Sequence, residues 1–392
     1  MGRLLSAVVK HGSLTMLDYK GRASHFGDGS AGPNVVMRMT KRSLPLRILL
    51  NPALAAGEAY MDGTLRVEKG TIRDFFTLFR EGGNDLYMHP LNRLRRAAGR
   101  WIGQPANNLT RSLRNVQHHY DLSDDLYALF LDDDWQYSCA YFGQPDQPLE
   151  DAQAAKKRHL AAKLLLSQGL SVLDIGSGWG GLALDLARHD RVNVTGVTLS
   201  KEQFARASRR AEDANLSSKV AFHLQDYRHV AETFDRIISV GMFEHVGVKN
   251  YPEFFRTVER LLKPDGVAVI HSIGRMGPPE ETDAWTQKYI FPGGYVPSMS
   301  EVLPAIELTN LWITDVEILR LHYAETLRNW YERFSQNREK AVALKGERFC
   351  RMWEYYLAAC EMSFRTGRLM VFQIQLAKKR DTVPLTRQKS PI

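Results

Sequence analysis

The fold of this chain is decided by one stretch, Ser171-Val-Leu-Asp-Ile-Gly-Ser-Gly-Trp-Gly-Gly181. Residues 172–175 have the apolar pattern of a buried strand, and residues 182–188 have a helical pattern. Between them stand three glycines at alternate positions, Gly176, Gly178 and Gly180. Glycine permits a tight turn and the close approach of a ligand, and the next helix offers its first N–H groups to that ligand. The stretch predicts the first strand, turn and helix of a doubly wound α/β sheet that holds a nucleotide-like cofactor.

The spacing of the glycines narrows the choice of cofactor. Gly-x-Gly-x-Gly differs from the Gly-x-Gly-x-x-Gly of dinucleotide-binding proteins and is typical of S-adenosylmethionine-dependent methyltransferases. The alternative is a glycine-rich turn that binds nothing.

Polar residues at the ends of successive strands favour the cofactor site over that alternative. Asp174, at the end of the first strand, can order the glycine loop or reach the cofactor's amino group. No acidic residue follows the second strand, and Thr198, Ser200 and Gln203 can replace the usual ribose-binding carboxylate there. Asp226 follows the third strand, where an acidic residue usually faces the adenine edge.

From residue 117 onward the chain alternates strand and helix patterns, which predicts βαβ units and a parallel sheet. The strand candidates are 172–175, 193–197, 219–223, 235–240 and 267–271, and the helix candidates are 181–188, 201–213 and 249–262. Helical patterns at 323–345 and 347–366 follow a polar and aromatic insert, and the basic tail 378–392 is expected to fray.

The segments before residue 117 have other patterns. Residues 1–90 predict a small α+β domain that associates with lipid or membrane. Residues 91–116 form a basic linker in which arginines are interleaved with apolar residues. Such a segment can lie on an anionic membrane, or it can be a solvated helix that packs between domains. Residues 117–392 are predicted to be the S-adenosylmethionine-dependent catalytic domain.

Composition sets outer limits on these predictions. With 392 residues, of which 44% are hydrophobic, the chain can form one large domain or two ordinary ones. Its net charge of +8 favours an anionic partner, namely phospholipid headgroups, nucleic acid or an acidic protein. Its three cysteines lack metal-ligand or disulfide spacing, which fits a reducing cytoplasm. We find neither a membrane-spanning apolar run nor a secretory leader, so we expect a cytoplasmic protein that touches membranes.

The exit of the fourth strand reads Ser239-Val-Gly-Met-Phe-Glu-His-Val-Gly247. Chemistry in this fold usually takes place at such a strand end. Glu244 and His245 are adjacent and therefore point in different directions, so only one of them needs to face the site. His245 can equally be a packed, hydrogen-bonded histidine.

With these features the chain resembles the cyclopropane-fatty-acyl-phospholipid synthases and, more widely, the cyclopropane mycolic acid synthases. The resemblance covers nearly the whole chain. Besides the glycine loop and the strand-four exit, its motifs are His118-His-Tyr-Asp-Leu-Ser-Asp124, Trp135-Gln-Tyr-Ser-Cys-Ala-Tyr141, Gly196-Val-Thr-Leu-Ser200, His271-Ser-Ile-Gly274, Lys288-Tyr-Ile-Phe-Pro-Gly-Gly294 and His322-Tyr-Ala-Glu-Thr-Leu-Arg-Asn-Trp330. The N-terminal Gly57-Glu-Ala-Tyr-Met-Asp-Gly63 is similar to the bacterial phospholipid enzymes, whereas the mycolic acid enzymes lack such a domain.

The resemblance implies methylene transfer from S-adenosylmethionine to a cis double bond of a phospholipid acyl chain, through a carbocation on that chain. It also implies a bound bicarbonate that removes a proton so that the ring closes. By motif match, the bicarbonate site consists of Cys139, Glu244, His271, Tyr323 and a backbone group of Ile273. We expect Glu244 to fix the tautomer of His271 or to take the proton of bicarbonate.

The remaining expectations combine the resemblance with the strand ends. The predicted cofactor-binding residues are Tyr137, Ser138, Asp174, Gly176, Gly178, Gly180, Thr198, Ser200, Gln203, Gln225, Asp226 and Tyr227. Ser177 departs from the family, which often has cysteine there. The expected partners are phospholipids with unsaturated acyl chains, an anionic membrane surface at the inner face of the cytoplasmic membrane, and a second copy in a homodimer. Aromatic residues can stabilise the cation or simply pack in the core; the candidates are Tyr137, Tyr141, Phe243, Tyr289, Phe291 and Tyr295.

Two alternatives stay open. A related enzyme can add a methyl or methylene branch to an unsaturated acyl chain without closing a ring. A membrane- or nucleic-acid-binding protein can retain a degenerate methyltransferase fold, but such a chain is expected to lose the glycine loop or the strand-four residues, and these are intact. A nucleic-acid methyltransferase usually carries a base-binding motif such as Asn-Pro-Pro-Tyr, which this sequence lacks, so we expect no nucleic-acid partner.

Overall fold

The computed structural model describes residues 5–6, 8–79 and 124–386. The strands in chain order are β1 (Ser13–Leu17), β2 (Ala23–Phe26), β3 (Asn34–Met39), β4 (Leu65–Lys69), β5 (Ser171–Ile175), β6 (Asn193–Thr198), β7 (Val220–Leu224), β8 (Phe234–Val240), β9 (Leu262–Arg275), β10 (Trp312–Leu319) and β11 (Leu369–Ala377). The helices are α1 (Leu44–Leu50), α2 (Pro52–Met61), α3 (Ile72–Thr77), α4 (Asp124–Tyr127), α5 (Leu149–Leu164), α6 (Gly181–His189), α7 (Lys201–Asp213), α8 (Tyr251–Leu261), α9 (Ala284–Tyr289), α10 (Met299–Glu307), α11 (His322–Gln336), α12 (Arg338–Lys345) and α13 (Glu347–Arg365).

The chain divides into two compact units. Of the described residues, the first unit comprises 5–6, 8–79, Glu280–Pro292 and Ala324–Arg368. Its four-stranded sheet has the order β2-β1-β3-β4, in which β1 and β3 are parallel and the other pairs are antiparallel. Helix α3 begins with a capping box formed by Thr71 and Asp74. The unit is therefore a small α+β structure, as predicted for the N-terminal segment.

Of the described residues, the second unit comprises 124–279, Gly293–Tyr323 and 369–386. Its seven-stranded sheet has the order β10-β11-β9-β8-β5-β6-β7. Neighbours from β7 to β9 are parallel, whereas β11 is antiparallel to both β9 and β10. The chain runs from β5 outward to β7 and then returns to β8 on the other side of β5. The switch between β5 and β8 creates a crevice at their carboxyl ends, where this fold binds ligands.

Both faces of the second sheet are buried, which explains the continuous apolar runs of its central strands. Leu173 and Ile175 face a cluster completed by α8 and α10, whereas Val172 faces a second cluster completed by α5, α6 and α7. Successive side chains thus alternate between two helical layers. This sandwich holds the carboxyl ends of β5 and β8 rigidly.

The predicted fold class, a mostly parallel doubly wound sheet, is confirmed. The five strand candidates are present as β5 to β9, and the long helical pattern at 323–345 is broken at Asn337 into α11 and α12. Strands β10 and β11 were not predicted. Strand β11 is almost wholly buried, and its partner β9 lies far from it along the chain, so no local pattern predicted the pairing.

The predicted domain boundaries at residues 90 and 116, together with the basic linker 91–116, lie outside the described residues. One difference is nonetheless clear: segments 280–292 and 324–368 belong to the first unit, although the sequence pattern assigned them to the catalytic domain. The reason is packing that sequence order does not reveal, since α13 contacts α2 and α3, and Arg73 of α3 forms a two-point ion pair with Glu361 of α13, with N–O distances of 2.6 and 2.9 Å.

None of the helices in the described part of the chain is long and apolar enough to cross a membrane.

Candidate active site

A cleft opens at the switch between β5 and β8. The space within it and at its open mouth is about 810 Å³. Seven predicted cofactor residues line it, namely Gly176, Gly178, Thr198, Gln203, Gln225, Asp226 and Tyr227. The other five do not line it, namely Tyr137, Ser138, Asp174, Gly180 and Ser200. His245 also lines the cleft, and burial lowers its pKa to about 4, so the ring is neutral there.

The glycine loop brings bare backbone to the wall of this cleft. Gly176 and Gly178 have φ values of 84° and 54°, which residues other than glycine rarely adopt. A Cβ on Gly176 would lie 2.7 Å from the Cβ of Met242, so no side chain fits there. A Cβ on Gly178 would meet no atom within 4 Å, so this residue borders open space. The loop therefore has the shape of a cradle for a ligand.

Asp174 supplies a buried carboxylate directly behind the loop. Its side chain is 2% exposed and accepts no hydrogen bond from any residue that the structure describes. Burial raises its pKa to about 7, and only the charge of Lys156 opposes that shift. Asp174 was predicted either to order the glycine loop or to reach the cofactor's amino group. Because its side chain forms no hydrogen bond to the loop, the second role is favoured. Ser177 also has a buried hydroxyl without a partner among the described residues, and both groups fit a polar cofactor.

The residues after β6 form a neutral hydrogen-bonded group. The hydroxyl of Thr198 donates to Oε1 of Gln203 at 3.0 Å, and both side chains line the cleft. Ser200 is fully buried, and its hydroxyl caps α7 by accepting the N–H of Gln203 at 3.2 Å. Ser200 therefore positions Gln203, which leaves Thr198 and Gln203 as the groups that can reach a ribose.

Asp226 is held at the opposite wall by Arg228. The guanidinium donates to both carboxylate oxygens at 2.9 and 2.8 Å, and the Arg228 amide donates at 2.9 Å. Burial acts to raise the pKa of Asp226, but these contacts outweigh burial and lower it. A fixed, ionised carboxylate therefore faces the cleft, as recognition of an adenine amino group requires.

The segment that contains Tyr137 and Ser138 lies against the glycine loop. Trp179 of the loop contacts the ring of Tyr127 edge to face at 4.9 Å, and Tyr127 contacts Tyr137 at 5.4 Å. The ammonium of Lys156 donates to the Ser138 hydroxyl at 2.8 Å. The rings and this buried hydrogen bond explain how the segment is fixed beside the cofactor cradle.

Lys156 itself was not predicted. It is 1% exposed, and burial lowers its pKa to about 8 although Asp132 acts in the other direction. Its positive charge also acts to lower the pKa of Asp174 and the pKa of His271. The signal in the sequence is its position on the apolar face of α5, in step with Leu149, Gln153 and Leu160.

Glu244 and Ile273, two residues of the predicted bicarbonate site, are directly bonded. The N–H of Ile273 donates to Oε1 of Glu244 at 2.7 Å, while Oε2 is buried without a partner among the described residues. Burial raises the pKa of Glu244 to about 7, against the lowering effect of the Ile273 amide. The backbone donor expected of Ile273 is thus already used by Glu244. The partnerless Oε2, which can accept or donate a proton near neutral pH, fits a small oxyacid such as bicarbonate.

His271 is oriented by a residue that the sequence did not reveal. Gln373 on β11 pairs with His271 on β9, and its amide Nε2 lies 3.1 Å from the histidine Nδ1. Donation from this amide places the ring proton on Nε2. Burial lowers the pKa of His271 to about 3, so the ring is neutral. The expectation that Glu244 fixes this tautomer is wrong, because Glu244 binds Ile273 and Gln373 occupies Nδ1.

Cys139 and Tyr323 are both buried, at 1% and 7% exposure. A stack of rings connects their segments. The ring of Tyr141 lies between His159 and His322, with centroid distances of 4.3 and 4.7 Å. Tyr141 is two residues from Cys139 and His322 precedes Tyr323, so this stack holds the two predicted catalytic segments together.

Two of the six aromatic candidates, Phe243 and Tyr295, pack within the protein core. Phe243 is fully buried against Tyr251, and the Tyr295 hydroxyl donates to Glu301 at 2.8 Å. Tyr289 and Phe291 belong to the first unit. This is the core-packing outcome that the sequence left open.

Replacement of Gln373 by leucine is expected to lower the turnover number by about ten-fold, because His271 then distributes its proton between both ring nitrogens. Affinity for S-adenosylmethionine should not change, and the measurement is turnover together with calorimetric binding. Gln375→Leu is the matched control on the same strand, since Gln375 bonds to Thr314 and to the Lys163 carbonyl. Equal losses in both variants would mean that Gln373 has only a packing role.

Comparisons with known proteins identify several that are similar to this chain. The mycolic acid cyclopropane synthetase family matches residues 107–374. The cyclopropane-fatty-acyl-phospholipid synthase of Escherichia coli K12 is 40% identical over 334 residues, which are 85% of this chain and 85% of that protein. The tuberculostearic acid methyltransferase UfaA1 of Mycobacterium tuberculosis H37Rv is 36% identical over 393 residues, which cover 96% of this chain and 90% of that protein.

Among solved structures, the mycolic acid cyclopropane synthase CmaA1 complexed with SAH and CTAB has a TM-score of 0.65 and 34% identity, and the match covers 71% of this chain and 100% of that one. The family match at 107–374 contains every residue of the predicted catalytic and cofactor-binding sets.

Proposed function

The chain belongs to the mycolic acid cyclopropane synthetase family, and from this premise we propose that it is a cyclopropane-fatty-acyl-phospholipid synthase. It is an S-adenosylmethionine-dependent enzyme. The proposed reaction transfers a methylene group to a cis double bond within a phospholipid acyl chain, at the inner face of the cytoplasmic membrane. The observation that carries the proposal is the position of His271 and Glu244 next to the cofactor cleft: Val240 of the cleft wall pairs with His271, and the N–H of Ile273 binds Glu244.

S-adenosylmethionine, when bound, supplies a sulfonium methyl that a weakly nucleophilic alkene can attack. The residues around it prepare that attack by position. Gly178 gives the cofactor room, Asp226 and Gln203 fix its nucleoside end, and Asp174 offers a carboxylate to its amino group.

Bicarbonate, when bound, supplies a small base that suits ring closure. His271, as a neutral ring with its proton on Nε2, can donate to an anion, and Tyr323 is a further donor in the same set. The Cys139 thiol donates to the Ala140 carbonyl at 3.3 Å and would have to turn from it to reach an anion. Glu244 has a pKa of about 7 and can hold or release a proton at neutral pH. Lys156 contributes a buried positive charge that favours an anion nearby.

Exclusion of water is the second requirement, because water would trap a cation on the acyl chain. Cys139, His271 and Tyr323 are all buried, which keeps bulk water away from these side chains.

A second candidate is methyl or methylene addition without ring closure. It is favoured by the name of the tuberculostearic acid methyltransferase, which matches 96% of this chain. The two reactions differ in whether the product keeps a carbon–carbon double bond.

Mass spectrometry of phospholipids distinguishes these reactions. Vesicles of an unsaturated phospholipid are incubated with the enzyme and S-adenosylmethionine, and the products are then treated with ozone. We expect a mass gain of one CH₂ per modified chain together with resistance to ozone. A mass gain with retained ozone cleavage would establish branch addition, and no mass gain on any unsaturated phospholipid would refute both reactions.

A further inference from the structure

We propose that α1 and the basic residues beside it form the surface through which this chain binds an anionic phospholipid bilayer. The surface consists of Leu46, Leu49 and Leu50 with Lys41, Arg42 and Arg47, and we call it the leucine face. It lies in the first unit, remote in sequence from the cleft residues. It deepens the proposed function and rests on it for the choice of a lipid partner.

The leucines of this face are exposed to an unusual degree. Leu46, Leu49 and Leu50 have 61%, 57% and 70% of their surface accessible. Their spacing of three and four residues places them on one side of the helix. Leu44 on the same helix is 1% exposed and anchors α1 to its unit. Clustered exposed leucines on an anchored helix mark an interaction surface rather than a core element.

The charge beside these leucines identifies the partner. Lys41 and Arg42 stand in the turn that leads into α1, are exposed, and form no ion pair with any described residue. Arg47 is 51% exposed and lies 3.6 Å from Glu58, which Lys288 contacts more closely at 2.7 Å. The cations around the face therefore outnumber its acids. A helix with apolar residues below and cations at its edge is the arrangement that lies in the interface of an anionic bilayer.

A second copy of the chain is a poorer occupant of the same surface. In a symmetric dimer the same patch meets itself, so each basic cluster would approach its own copy. Like charges brought together in this way oppose association. A bilayer instead supplies phosphate groups at the depth of the cations and acyl chains at the depth of the leucines.

The test is sedimentation of the full-length protein with vesicles of saturated phosphatidylglycerol and phosphatidylcholine, without S-adenosylmethionine. Leu46→Ser/Leu50→Ser is expected to weaken vesicle binding by about ten- to a hundred-fold at every salt concentration. The matched control is Leu344→Ser/Leu308→Ser, which changes two exposed leucines elsewhere and should bind like the wild type.

Charge is tested separately from apolar contact. Lys41→Gln/Arg42→Gln is expected to weaken binding by about ten-fold at low salt and to reduce the salt dependence. Lys69→Gln/Lys345→Gln removes the same charge from exposed positions outside the leucine face and should change binding little. Equal losses in both charge variants would mean that net charge alone drives binding, and the proposal would then be wrong.

Two further measurements distinguish membrane binding by the leucine face from a dimer interface and from a failure of the proposed reaction. Sedimentation velocity without lipid shows whether Leu46→Ser/Leu50→Ser changes the oligomeric state, and conversion of a dimer to a monomer would assign the face to a second copy and overturn the proposal. Turnover of a short-chain unsaturated phospholipid dispersed in detergent should survive in the leucine variant. If the wild type turns over no lipid at all, the proposed reaction fails, yet binding to saturated vesicles still decides the role of the leucine face.

Discussion

Replacement of Glu244 by glutamine is expected to abolish most of the turnover, by about 10²- to 10⁴-fold, while the protein still binds S-adenosylmethionine and unfolds at a higher temperature above pH 7. The amide oxygen of glutamine can still accept the N–H of Ile273, so the local backbone keeps its hydrogen bond. The variant loses only the ability to take or give a proton. Turnover and stability should therefore move in opposite directions.

The stability change follows from the pKa of the buried carboxyl. Burial raises the pKa of Glu244 from 4.5 to about 7 in the folded protein. Below pH 4.5 both the folded and the unfolded chain hold the proton, so the group costs nothing. Between pH 4.5 and about 7 the unfolded chain ionises first, and the free energy of unfolding of the wild type falls. Glutamine has no such loss, so its advantage grows over this window and levels off at about 3 kcal/mol.

Thermal unfolding at a series of pH values, with turnover measured on the same samples, provides the check. Glu232→Gln is the control, because Glu232 is exposed in the loop before β8. Parallel stability curves for the wild type and Glu244→Gln would show that Glu244 is ionised in the folded protein. Retained turnover would remove Glu244 from the catalytic set.

The parallel core of the fold was predictable because it is encoded locally. The stretch 171–181 contains a strand, a turn and a helix start within eleven residues, and the pattern then repeats. The antiparallel edge was not predictable in this way. Strand β11 lies about a hundred residues after its partner β9, and no local pattern states that the chain returns through α11 to α13 before pairing.

The residues of the site also fall into a group that local sequence predicts and a group that depends on distant packing. Asp174, Gln203 and Asp226 could be proposed from the order of strand ends, since Asp174 lies near the end of β5 and the other two follow β6 and β7. The partners that set protonation could not be proposed. Gln373 reaches His271 only through the register of β9 and β11, across 102 residues of sequence. Lys156 lies on a helix whose burial depends on the whole second unit.

Replacement of Asp174 by asparagine is expected to weaken the binding of S-adenosylmethionine by about ten- to a hundred-fold, because a buried carboxylate that meets an ammonium contributes a charge-assisted hydrogen bond. The side chain is the same size, and Asp174 accepts no hydrogen bond from the described residues that the change would break. The loss should therefore be one of binding rather than of folding. Asp265→Asn, at an exposed aspartate of the same unit, is the control.

Two comparisons identify the group that Asp174 recognises. S-adenosylhomocysteine has the same amino group but no sulfonium charge, so equal losses for both ligands would assign Asp174 to the amino group, whereas a loss confined to S-adenosylmethionine would assign it to the sulfonium.

The pH dependence is the second comparison. Burial raises the pKa of Asp174 to about 7, so wild-type affinity should rise up to ten-fold per pH unit from pH 5.5 to about 7 and then level off, while the asparagine variant should lack this rise. Lys156 has a pKa of about 8 and stays charged over this pH range. Its charge lowers the pKa of Asp174 and therefore the midpoint of the rise in affinity. A rise of the same size in the asparagine variant would mean that another group controls cofactor binding, and Asp174 would then be a structural residue of β5.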